Sequence, residues 1–443
     1  MNIDNKYHEA YQQLPGLLEQ RRKNEFMPAL GFTSNLDIIC DFSIEKVNLL
    51  LSTYLPTAVI SELKPVPIIK TMPDFLSTLV YYCRNGIGGE NDIENISTVR
   101  EHFSDKEGMG GTAVQAAMAL ATIGCPSLVH LTDDSKEVCN ILNNEQIYSV
   151  DTKGALVHTK DINQTHEQEI HYIIQFKKGD QVCLGDQKFD IPVSNRLIIT
   201  RVTVNETVPL SKTFLNYVER NADKIPSYVL SSFNCILDSA VLNNRLNIIR
   251  DNVRKYKKHN QHGIIYFEDA AYHGMSIKKQ CIQFLYPETD IVGLNEDELK
   301  TTAEVCGIDV DISNLYSCIS AARKLIDLYH IKKGVIIHTK DYAMFIGNHE
   351  GINIQKGLMY GNIIATAKAM TGWYGNFAAL NKVLALELSQ KGTDFYNEAA
   401  NKGYNDVVIV PSKYIDKPKY TIGLGDSFVA GVQICFGVDG NYA

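Results

Sequence analysis

The segment TIGLGD at residues 421–426 combines two glycines with an acid, and small and apolar residues follow it. This pattern predicts a tight turn that opens a helix. Backbone N–H groups at 423 to 426 can converge there, and the helix start adds partial positive charge, so the turn suits a phosphoryl group. Asp426 would then accept the proton of an attacking hydroxyl. The alternative is an aspartate that caps the helix after a glycine turn, and the motif alone favours neither.

A second glycine-rich string, GMGGTA at residues 108–113, matches the dinucleotide-binding pattern G-x-G-x-x-A. Residues 101–107 before it are polar and charged and do not predict a strand, so the strand–turn–helix context is missing. What remains is the pair Gly110–Gly111 before a predicted small-residue helix over Thr112–Ile123. The backbone there can approach a ligand or pack closely. A Walker A sequence is absent from the chain, which excludes P-loop kinases and GTPases.

A third string, GFTSNLD at residues 31–37, follows the apolar run Met27–Leu30. Asn35 and Asp37 are two residues apart, so in an extended chain they lie on one face. An amide and a carboxylate on one face suit the hydroxyls of a sugar or another polyol. The alternative is an Asx turn that closes a strand.

Acids also follow two predicted strands. In NEDEL at residues 295–299, Asn295 and Glu298 share one face of a helical turn, as a cation site or its second layer requires. The alternative is an acid-rich helix start that offsets the helix dipole. Glu268 ends the predicted strand Gly263–Phe267, at the carboxyl edge where open α/β sheets bind their ligands.

The elements that position these residues alternate between short strands and longer helices, such as Asp238–Lys258 and Asn314–Tyr329. The strand segments are nearly continuous apolar runs, which is typical of a parallel sheet covered on both faces. The alternation predicts a doubly wound α/β sheet. The predicted strands are Leu128–Leu131, Leu197–Val202, Tyr228–Ser232, Gly263–Phe267, Asp290–Leu294, Gly334–His338 and Asp406–Val410.

Two stretches, residues 38–106 and 157–196, interrupt this alternation with shorter segments punctuated by glycine and charge. Within the second, HYIIQFKKGDQVCLG at 171–185 predicts a β-hairpin with its turn at residues 178–180. We expect both stretches to be insertions that pair into a small second sheet, a lid domain. The large domain then comprises residues 1–37, 107–156 and 197–443.

Composition limits the class of protein. The 443 residues include 43 Lys and Arg and 51 Asp and Glu, a net charge of −8 without a basic block, so neither nucleic acid nor an anionic membrane surface is expected as a partner. None of the ten cysteines forms a C-x-x-C pair, which argues against a zinc ribbon. The amino terminus is polar, and no apolar stretch approaches the ~20 residues of a membrane span. We expect a soluble protein of the reducing cytoplasm.

Taken in order, the motifs resemble the ADP-dependent glucokinases and phosphofructokinases, a branch of the ribokinase-like sugar kinases. The resemblance implies a large ribokinase-like α/β domain with a smaller β-rich lid. It also implies transfer of the β-phosphoryl group from ADP to a sugar hydroxyl, with AMP as product and Mg²⁺ as cofactor. The residues that carry it are GFTSNLD, GGTA, PVSNRLI, YFE, VGLNEDEL, VIIHTKDY, VIVPS and TIGLGDSF.

The resemblance assigns catalytic and metal-binding roles to residues of this sequence. Asp426 falls on the position of the general base. Glu268 matches the acid of the family's HxE motif and Glu298 that of its NxxE motif, and with Asp426 they are implied to order Mg²⁺ and its waters. The anion hole is implied to be formed by the backbone of Gly423, Leu424 and Gly425.

The resemblance also assigns binding roles. The partners implied are a small-molecule sugar and a nucleotide, while the oligomeric state is not determined by the sequence. The positions implied to bind the nucleotide, including the adenine pocket, are Asn295, His338, Thr339, Val410 and Pro411. The positions implied to bind the sugar or its phosphate are Asn35, Asp37, Glu90, Gly110, Gly111 and Arg196.

The sequence departs from the family in ways that leave the substrate open. Tyr266 stands where the HxE motif has histidine. Glu90 could be the lid glutamate of glucose-using members, which would repel a sugar phosphate. Basic residues at 84, 177, 178 and 201 could equally serve fructose 6-phosphate. Two alternatives remain at this point: an ATP-dependent sugar or nucleoside kinase of the same superfamily, and a non-catalytic sugar-phosphate sensor.

Overall fold

The computed structural model of the chain describes residues 2–162, 168–201, 204–272 and 274–437. The chain divides into two compact units. The large unit comprises Met1–Ser34, Gly111–Gln164 and Asn205–Ala443, and the small unit comprises Asn35–Gly110 and Thr165–Val204. These ends differ from the predicted intervals because strands that start at Asn35 and end at Gly110 belong wholly to the small unit's sheet.

The strands are short, and most are buried on both faces in the large unit. In chain order they are β1 (Ala29–Leu30), β2 (Asn35–Cys40), β3 (Ile68–Ile69), β4 (Gly89–Ile93), β5 (Asp105–Gly110), β6 (Ser127–Val129), β7 (Ile147–Val150), β8 (Leu156–His158), β9 (Ile170–Phe176), β10 (Gln181–Leu184), β11 (Gln187–Asp190), β12 (Asn195–Arg201), β13 (Ser227–Leu230), β14 (Ile264–Glu268), β15 (Ile291–Leu294), β16 (Gly334–His338), β17 (Tyr342–Gly347) and β18 (Val407–Pro411).

Most helices begin at a polar capping residue. The predicted helices at 238–258 and 314–329 start where expected, because Asp238 and Asn314 each accept a backbone N–H of the first turn. The helices are α1 (Ile3–Lys23), α2 (Ile44–Tyr54), α3 (Met72–Asn85), α4 (Ser97–Arg100), α5 (Thr112–Ala121), α6 (Lys136–Ile141), α7 (Lys212–Arg220), α8 (Ser239–His259), α9 (Met275–Leu285), α10 (Glu296–Val305), α11 (Leu315–Tyr329), α12 (Ile354–Thr371), α13 (Phe377–Leu384), α14 (Gln390–Lys402) and α15 (Leu424–Gln433).

The large unit is built on a ten-stranded sheet in the order β18-β17-β16-β15-β14-β13-β1-β6-β7-β8. The strands from β16 to β7 pair in parallel, and the order reverses between β1 and β13, so the predicted doubly wound α/β fold is confirmed. The expectation of a parallel strand at 406–410 was wrong, because β18 pairs antiparallel with β17. Burial on both faces gives such a strand the same apolar composition as its parallel neighbours.

The small unit contains a six-stranded sheet in the order β3-β4-β12-β9-β2-β5 and the separate pair β10-β11. The segment predicted at 197–202 as part of the main sheet is β12, which pairs here with β4 and β9. The polar residues 101–107 were wrongly excluded as a strand, since Asp105 begins β5 at the edge of this sheet. Charged residues are common on edge strands.

The predicted hairpin over 171–185 was also wrong. Strand β9 pairs with β12 and β2, while the hairpin joins β10 to β11 around Gly185, whose φ is 58°. Gly179 donates its N–H to the Ile191 carbonyl at 2.9 Å and Ile191 donates back to Asp180 at 2.9 Å, so the predicted turn is paired with a distant segment. The partners of β9 lie too far along the chain for a local pattern to identify them.

Close packing holds the last helix, α15, against helix α12. Helices α12 and α15 approach through Gly357 and Gly361, where a Cβ would overlap Cys435 and Phe428 respectively. Gly431 on α15 lies directly against Gly361. Small residues allow this contact between backbones. Among the described residues, no helix combines the length and hydrophobicity that crossing a membrane requires.

Candidate active site

The GxGD turn of the large unit opens α15 as predicted. Gly423 is the N-cap residue with a φ of 65°, in the left-handed region, and a Cβ there would overlap the side chain of Gln115. The Gly423 carbonyl accepts the Ser427 N–H at 3.1 Å, which closes the first helical turn. Since the first N–H groups of a helix have no intrahelical acceptor, those of Leu424, Gly425 and Asp426 are available to an anion.

Glu268 ends β14 at the carboxyl edge of the sheet, and both of its oxygens are hydrogen-bonded. Tyr266 donates its hydroxyl to Oε2 at 3.0 Å, and His338 Nε2 lies 2.8 Å from Oε1. Burial raises the pKa of Glu268, and the nearby charge of Asp426 adds to the effect, while His338 opposes it. The tyrosine that replaces the family's HxE histidine therefore holds this carboxylate, and His338 supplies an imidazole from another strand.

Glu298 and Asn295 form a capping box at the start of α10. The Asn295 side chain accepts the Glu298 N–H at 2.9 Å, and Glu298 accepts the Asn295 N–H at 2.8 Å. Burial raises the pKa of Glu298 to about 8, and the negative charge of Glu268 contributes. The helix-start alternative for NEDEL is thus correct as a description of local structure, and the same carboxylate also lies in the field of a second buried acid.

These acids bear on the implied magnesium site. No group of three or more His, Cys, Asp or Glu side chains with the geometry of a metal cage occurs in the described ranges. Mg²⁺ commonly uses only one or two carboxylates and completes its shell with water and phosphate. The charge of Glu268 raises the pKa of Glu298, and the charge of Asp426 raises the pKa of Glu268, so a cation near them would relieve the repulsion. The residues fit a magnesium ion bound mainly through phosphate and water.

A cavity of about 570 Å³ adjoins the GxGD turn in the large unit. Asn295, His338 and Thr339, three of the residues that the resemblance implies for the nucleotide, line it. The His338 ring stacks on Phe428 of α15 with 4.8 Å between ring centroids. The lining of the cavity also includes Thr421, Leu424, Gly425, Asn362, Ser412, Lys413, Tyr414 and Asp416.

Val410 and Pro411, which the resemblance implies for the adenine pocket, are not among the residues that line this cavity. They belong to β18, and the five residues that follow the strand line the wall instead. Pro411 supports that wall, because its carbonyl accepts the Tyr7 hydroxyl at 2.7 Å. The offset arises because the strand continues through Pro411 and the chain reaches the cavity only beyond its end.

Asn362 was missed by the sequence reasoning. Its Nδ2 donates to the Tyr7 hydroxyl at 2.8 Å, and its Oδ1 accepts the Ser412 hydroxyl at 3.3 Å. Helix α1 thereby fixes one wall of the cavity. The signal in the sequence is a single amide among apolar residues of a helix, which is too common to single out.

In the small unit, Asn35 and Asp37 lie together at the start of β2, as predicted. Asn35 Nδ2 donates to Asp37 Oδ1 at 2.7 Å and lies 3.1 Å from His171 Nδ1. Gly110 pairs with Asn35 in the sheet, and a Cβ there would overlap both side chains. These contacts make a compact polar cluster of an amide, a carboxylate and an imidazole, which we call the β2 cluster.

Glu90 and Arg196 lie on the same face of the six-stranded sheet as the β2 cluster. Residue pairing places Glu90 beside Ile198, Ile198 beside Ile173 and His171 beside Asp37, and alternate residues of a strand share a face. Arg196 is two residues from Ile198. This face therefore carries a glutamate and an arginine as well as the polar side chains of the β2 cluster, which suit a sugar.

Gly111 and Arg84 are the remaining candidates. Gly111 caps α5 in the large unit with a φ of 97°, in contact with Thr33. Arg84, considered for a substrate phosphate, donates to the carbonyls of Ile60 and Leu63 at 2.5 and 3.3 Å. Its guanidinium thus holds a neighbouring loop.

His171 and Glu169 were not anticipated as part of this site. Glu169 Oε1 lies 3.7 Å from His171 Nε2. Burial lowers the pKa of His171, but the nearby carboxylates of Glu169 and Asp37 more than offset this and raise the pKa overall. Both residues lie within or beside the mispredicted hairpin, so no local pattern placed them beside Asp37.

Comparison with known proteins agrees with this geometry. The ADP-specific Phosphofructokinase/Glucokinase conserved region matches residues 27–433. The chain is 22% identical over 453 residues to the ADP-dependent glucose/glucosamine kinase of Pyrococcus abyssi, covering 96% of this chain and 97% of that protein. It is also 22% identical over 437 residues to the ADP-specific phosphofructokinase of Pyrococcus furiosus, covering 92% and 96%.

A solved structure shares the fold. The last common ancestor of ADP-dependent phosphofructokinases from Methanosarcinales aligns with a TM-score of 0.79 at 20% identity, over 99% of this chain and 100% of that one. This is the α/β fold with a smaller β-rich unit expected from the motifs. The family match over most of the sequence confirms the resemblance, and the chain belongs to the family of ADP-specific phosphofructokinases and glucokinases.

Proposed function

We propose that this chain transfers the β-phosphoryl group of ADP to a hydroxyl of a hexose or hexose phosphate and releases AMP. The observation that carries the proposal is the GxGD helix start on the wall of a cavity of about 570 Å³, with Asp426 close enough to the buried carboxylate of Glu268 to raise its pKa. A nucleotide in this cavity would direct its phosphates to free backbone N–H groups. Family membership supports ADP as the donor.

The chain's own groups can perform each part of the transfer. Asp426 orients the acceptor hydroxyl and takes its proton as the new oxygen–phosphorus bond forms. The bond from the β-phosphorus to the bridging oxygen of ADP breaks, and AMP leaves with that oxygen. Backbone N–H groups at 424 to 426 stabilise the charge on the transferring group. Positioning and charge neutralisation account for most catalysis of this kind.

Glu298 and Glu268 would hold Mg²⁺, with Glu268 acting through water because Tyr266 and His338 already occupy its oxygens. When bound, the ion neutralises phosphate charge and helps to align the donor. Tyr266 keeps Glu268 in a fixed orientation, and the Asn295 N–H does the same for Glu298.

The sugar site is proposed for the face of the small unit that carries the β2 cluster. Asn35 and Asp37 offer a donor and acceptors for sugar hydroxyls. Glu90 favours a free hydroxyl, as in glucose, whereas Arg196 favours the phosphate of fructose 6-phosphate. The relatives named above act on one or the other class of sugar, so both are candidate acceptors.

A matrix of ADP and ATP against glucose, fructose 6-phosphate and several nucleosides tests the proposal. We expect AMP to form from ADP with at least one of the two sugars. Product ADP formed from ATP would instead identify an ATP-dependent kinase. Thermal stabilisation by a sugar without transfer from either donor would identify a sensor. The GxGD acid argues against the sensor, since a pure binding protein needs no base.

We also propose that the protein works in the cytoplasm. All ten cysteines are free thiols, seven of them buried, which suits a reducing compartment. Non-reducing and reducing electrophoresis of protein from its native cells would show the same mobility if this is correct. A disulfide-dependent shift would contradict it.

A further inference from the structure

Beneath the GxGD turn lies a buried lysine that none of the sequence motifs includes. Lys368 is in the last turn of α12, and only 2% of its surface is exposed. Its Nζ donates to Gln115 Oε1 and, at 3.3 Å, to the carbonyl of Gly423. The ring of Tyr374 lies 4.2 Å from Nζ, and the Tyr374 hydroxyl donates to the same Gln115 oxygen at 3.2 Å.

Removing an ammonium group from water is costly, so such a lysine must be stabilised by its surroundings. The C-terminal end of α12, the ring face of Tyr374 and two oxygens all provide negative potential here. These contacts explain why the charge can be buried. These contacts do not explain why Lys368 lies against the carbonyl of Gly423, the N-cap residue of α15. The start of that helix already carries partial positive charge.

The Gly423 carbonyl receives three donors: the Ser427 N–H at 3.1 Å, the Ser427 hydroxyl at 3.0 Å and Lys368 Nζ at 3.3 Å. In a planar trans peptide the carbonyl and the following N–H point in opposite directions. Holding this carbonyl toward Lys368 therefore aims the Leu424 N–H out of the helix start. A cation on the carbonyl oxygen also polarises the peptide, which strengthens that N–H as a donor.

We propose that Lys368 is a positioning residue that orients and polarises the Gly423–Leu424 peptide, so that its N–H stabilises charge on the transferring phosphoryl group. The proposal rests on the kinase function proposed above. Gln115 has an accessory part, because it holds Nζ from α5 and also packs against Gly423. The motif GGTAVQ at 110–115 thus reaches the GxGD turn through the side chain of its last residue.

Lys368→Met tests the proposal, since it keeps the length of the side chain and removes the charge. We expect kcat to fall by about 10- to 100-fold, because a misdirected donor costs rate in the transition state. The KM for the sugar should change less than about threefold, since the sugar is proposed to bind elsewhere. Lys368→Arg, which keeps the charge in a planar group, should recover part of the lost rate. Lys356→Met on the same helix is the matched control.

The decisive measurement compares affinities for two states of the reaction by titration calorimetry. AMP alone represents the ground state, and AMP with aluminium fluoride and the sugar that is turned over represents the transferring phosphoryl group. Lys368→Met should weaken the fluoride complex at least tenfold more than it weakens AMP. Equal weakening of both, or of neither, in a folded variant would overturn the proposal.

Two further outcomes distinguish failure of the Lys368 proposal from a folding failure and from failure of the proposed kinase function. If Lys368→Met does not fold, the same comparison is made with Lys368→Arg, whose displaced charge should still weaken the fluoride complex more than AMP. Equal effects there overturn the proposal. If the wild-type protein transfers no phosphoryl group from ADP, the proposed function fails before Lys368 is tested. An active wild type with an unaffected Lys368 variant rejects the positioning role alone.

Discussion

At the scale of single residues, the three acids near the GxGD turn of the large unit differ in burial and in hydrogen-bond partners. Asp426 is half-buried in the first turn of α15, Glu268 is buried, and Glu268 and Glu298 each carry a raised pKa. Their neighbours differ accordingly: Tyr266 and His338 hold Glu268, and the Asn295 N–H holds Glu298. The geometry therefore favours Asp426 as the acid that is free to contact the acceptor hydroxyl.

Replacing this acid separates catalysis from binding. We expect Asp426→Asn to reduce kcat by about 10² or more, because the amide cannot take the proton, while sugar affinity survives. Steady-state kinetics and sugar titration measure the two effects. Asp297→Asn, at the exposed start of α10, is the control. Wild-type turnover in Asp426→Asn would remove Asp426 from the role of base.

The β2 cluster gives a pH-dependent signal. The folded-state pKa of His171 is raised, so protonating its ring adds stability that is complete below about 6.5 and is lost as pH rises through the higher folded-state pKa. We expect Glu169→Gln to lower the pKa of His171, because it removes the carboxylate that stabilises the charged ring. NMR titration of the ring measures this.

Glu62→Gln, an exposed change in the same unit, is the matched control for that titration. It should leave the His171 signal where it is in the wild type. An unchanged pKa of His171 in Glu169→Gln would show that Glu169 does not hold the ring. A change of equal size in both variants would point to a general effect of surface charge.

At the scale of elements, the position of the GxGD turn depends on the contact between α12 and α15. Gly361 lies where a Cβ would overlap the Phe428 ring and the backbone of α15. Helix α12 therefore sets both how closely α15 packs against it and where Lys368 lies. A hydrogen bond from helix α1 holds the chain just after α15, since Arg21 donates to the carbonyl of Phe436 at 2.6 Å.

Gly361→Ala tests that contact. Alanine favours a helix by up to ~1 kcal/mol, but overpacking costs ~1–3 kcal/mol. We expect a net loss of unfolding free energy and a lower Tm, because the overlapped atoms include backbone that cannot move independently. Gly274→Ala is the control, since a Cβ there has its nearest neighbours at 3.9 Å or more. A Tm equal to that of the wild type would mean that α12 and α15 can move apart without a loss of unfolding free energy.

At the scale of the whole molecule, each unit carries one kind of site. The large unit has the GxGD turn, the buried acids and the cavity of about 570 Å³. The small unit has the β2 cluster on one face of its sheet. The proposal thus assigns the nucleotide to the large unit and the sugar to the small unit.

Hydrogen exchange with single ligands tests this assignment. AMP should slow exchange of amides at 412–428, because binding adds to the opening free energy of the segments it contacts. The sugar that is turned over should slow exchange in β2 and β5 when added alone. Residues 403–406, which line a separate surface hollow, serve as the internal reference. Protection by AMP confined to β2 and β5 would contradict the assignment.

The sequence by itself determined the doubly wound α/β class, the GxGD helix start, the Asn35–Asp37 pair and the family. These features depend on local patterns: apolar runs, capping residues and short motifs whose residues act through their own backbone or nearest neighbours. The Gly423 turn is a clear case, since two glycines and the helix behind them are adjacent in the chain.

Only the tertiary structure decided which distant side chains meet. His171 reaches Asp37 through the pairing of β9 with β2, and Lys368 reaches Gly423 through the packing of α12 on α15. The same holds for the contact between His338 and Glu268, and for the error at the predicted hairpin. Sheet pairing and helix packing bring together residues that are far apart in the chain, and no local pattern of residue types records which partners they will have.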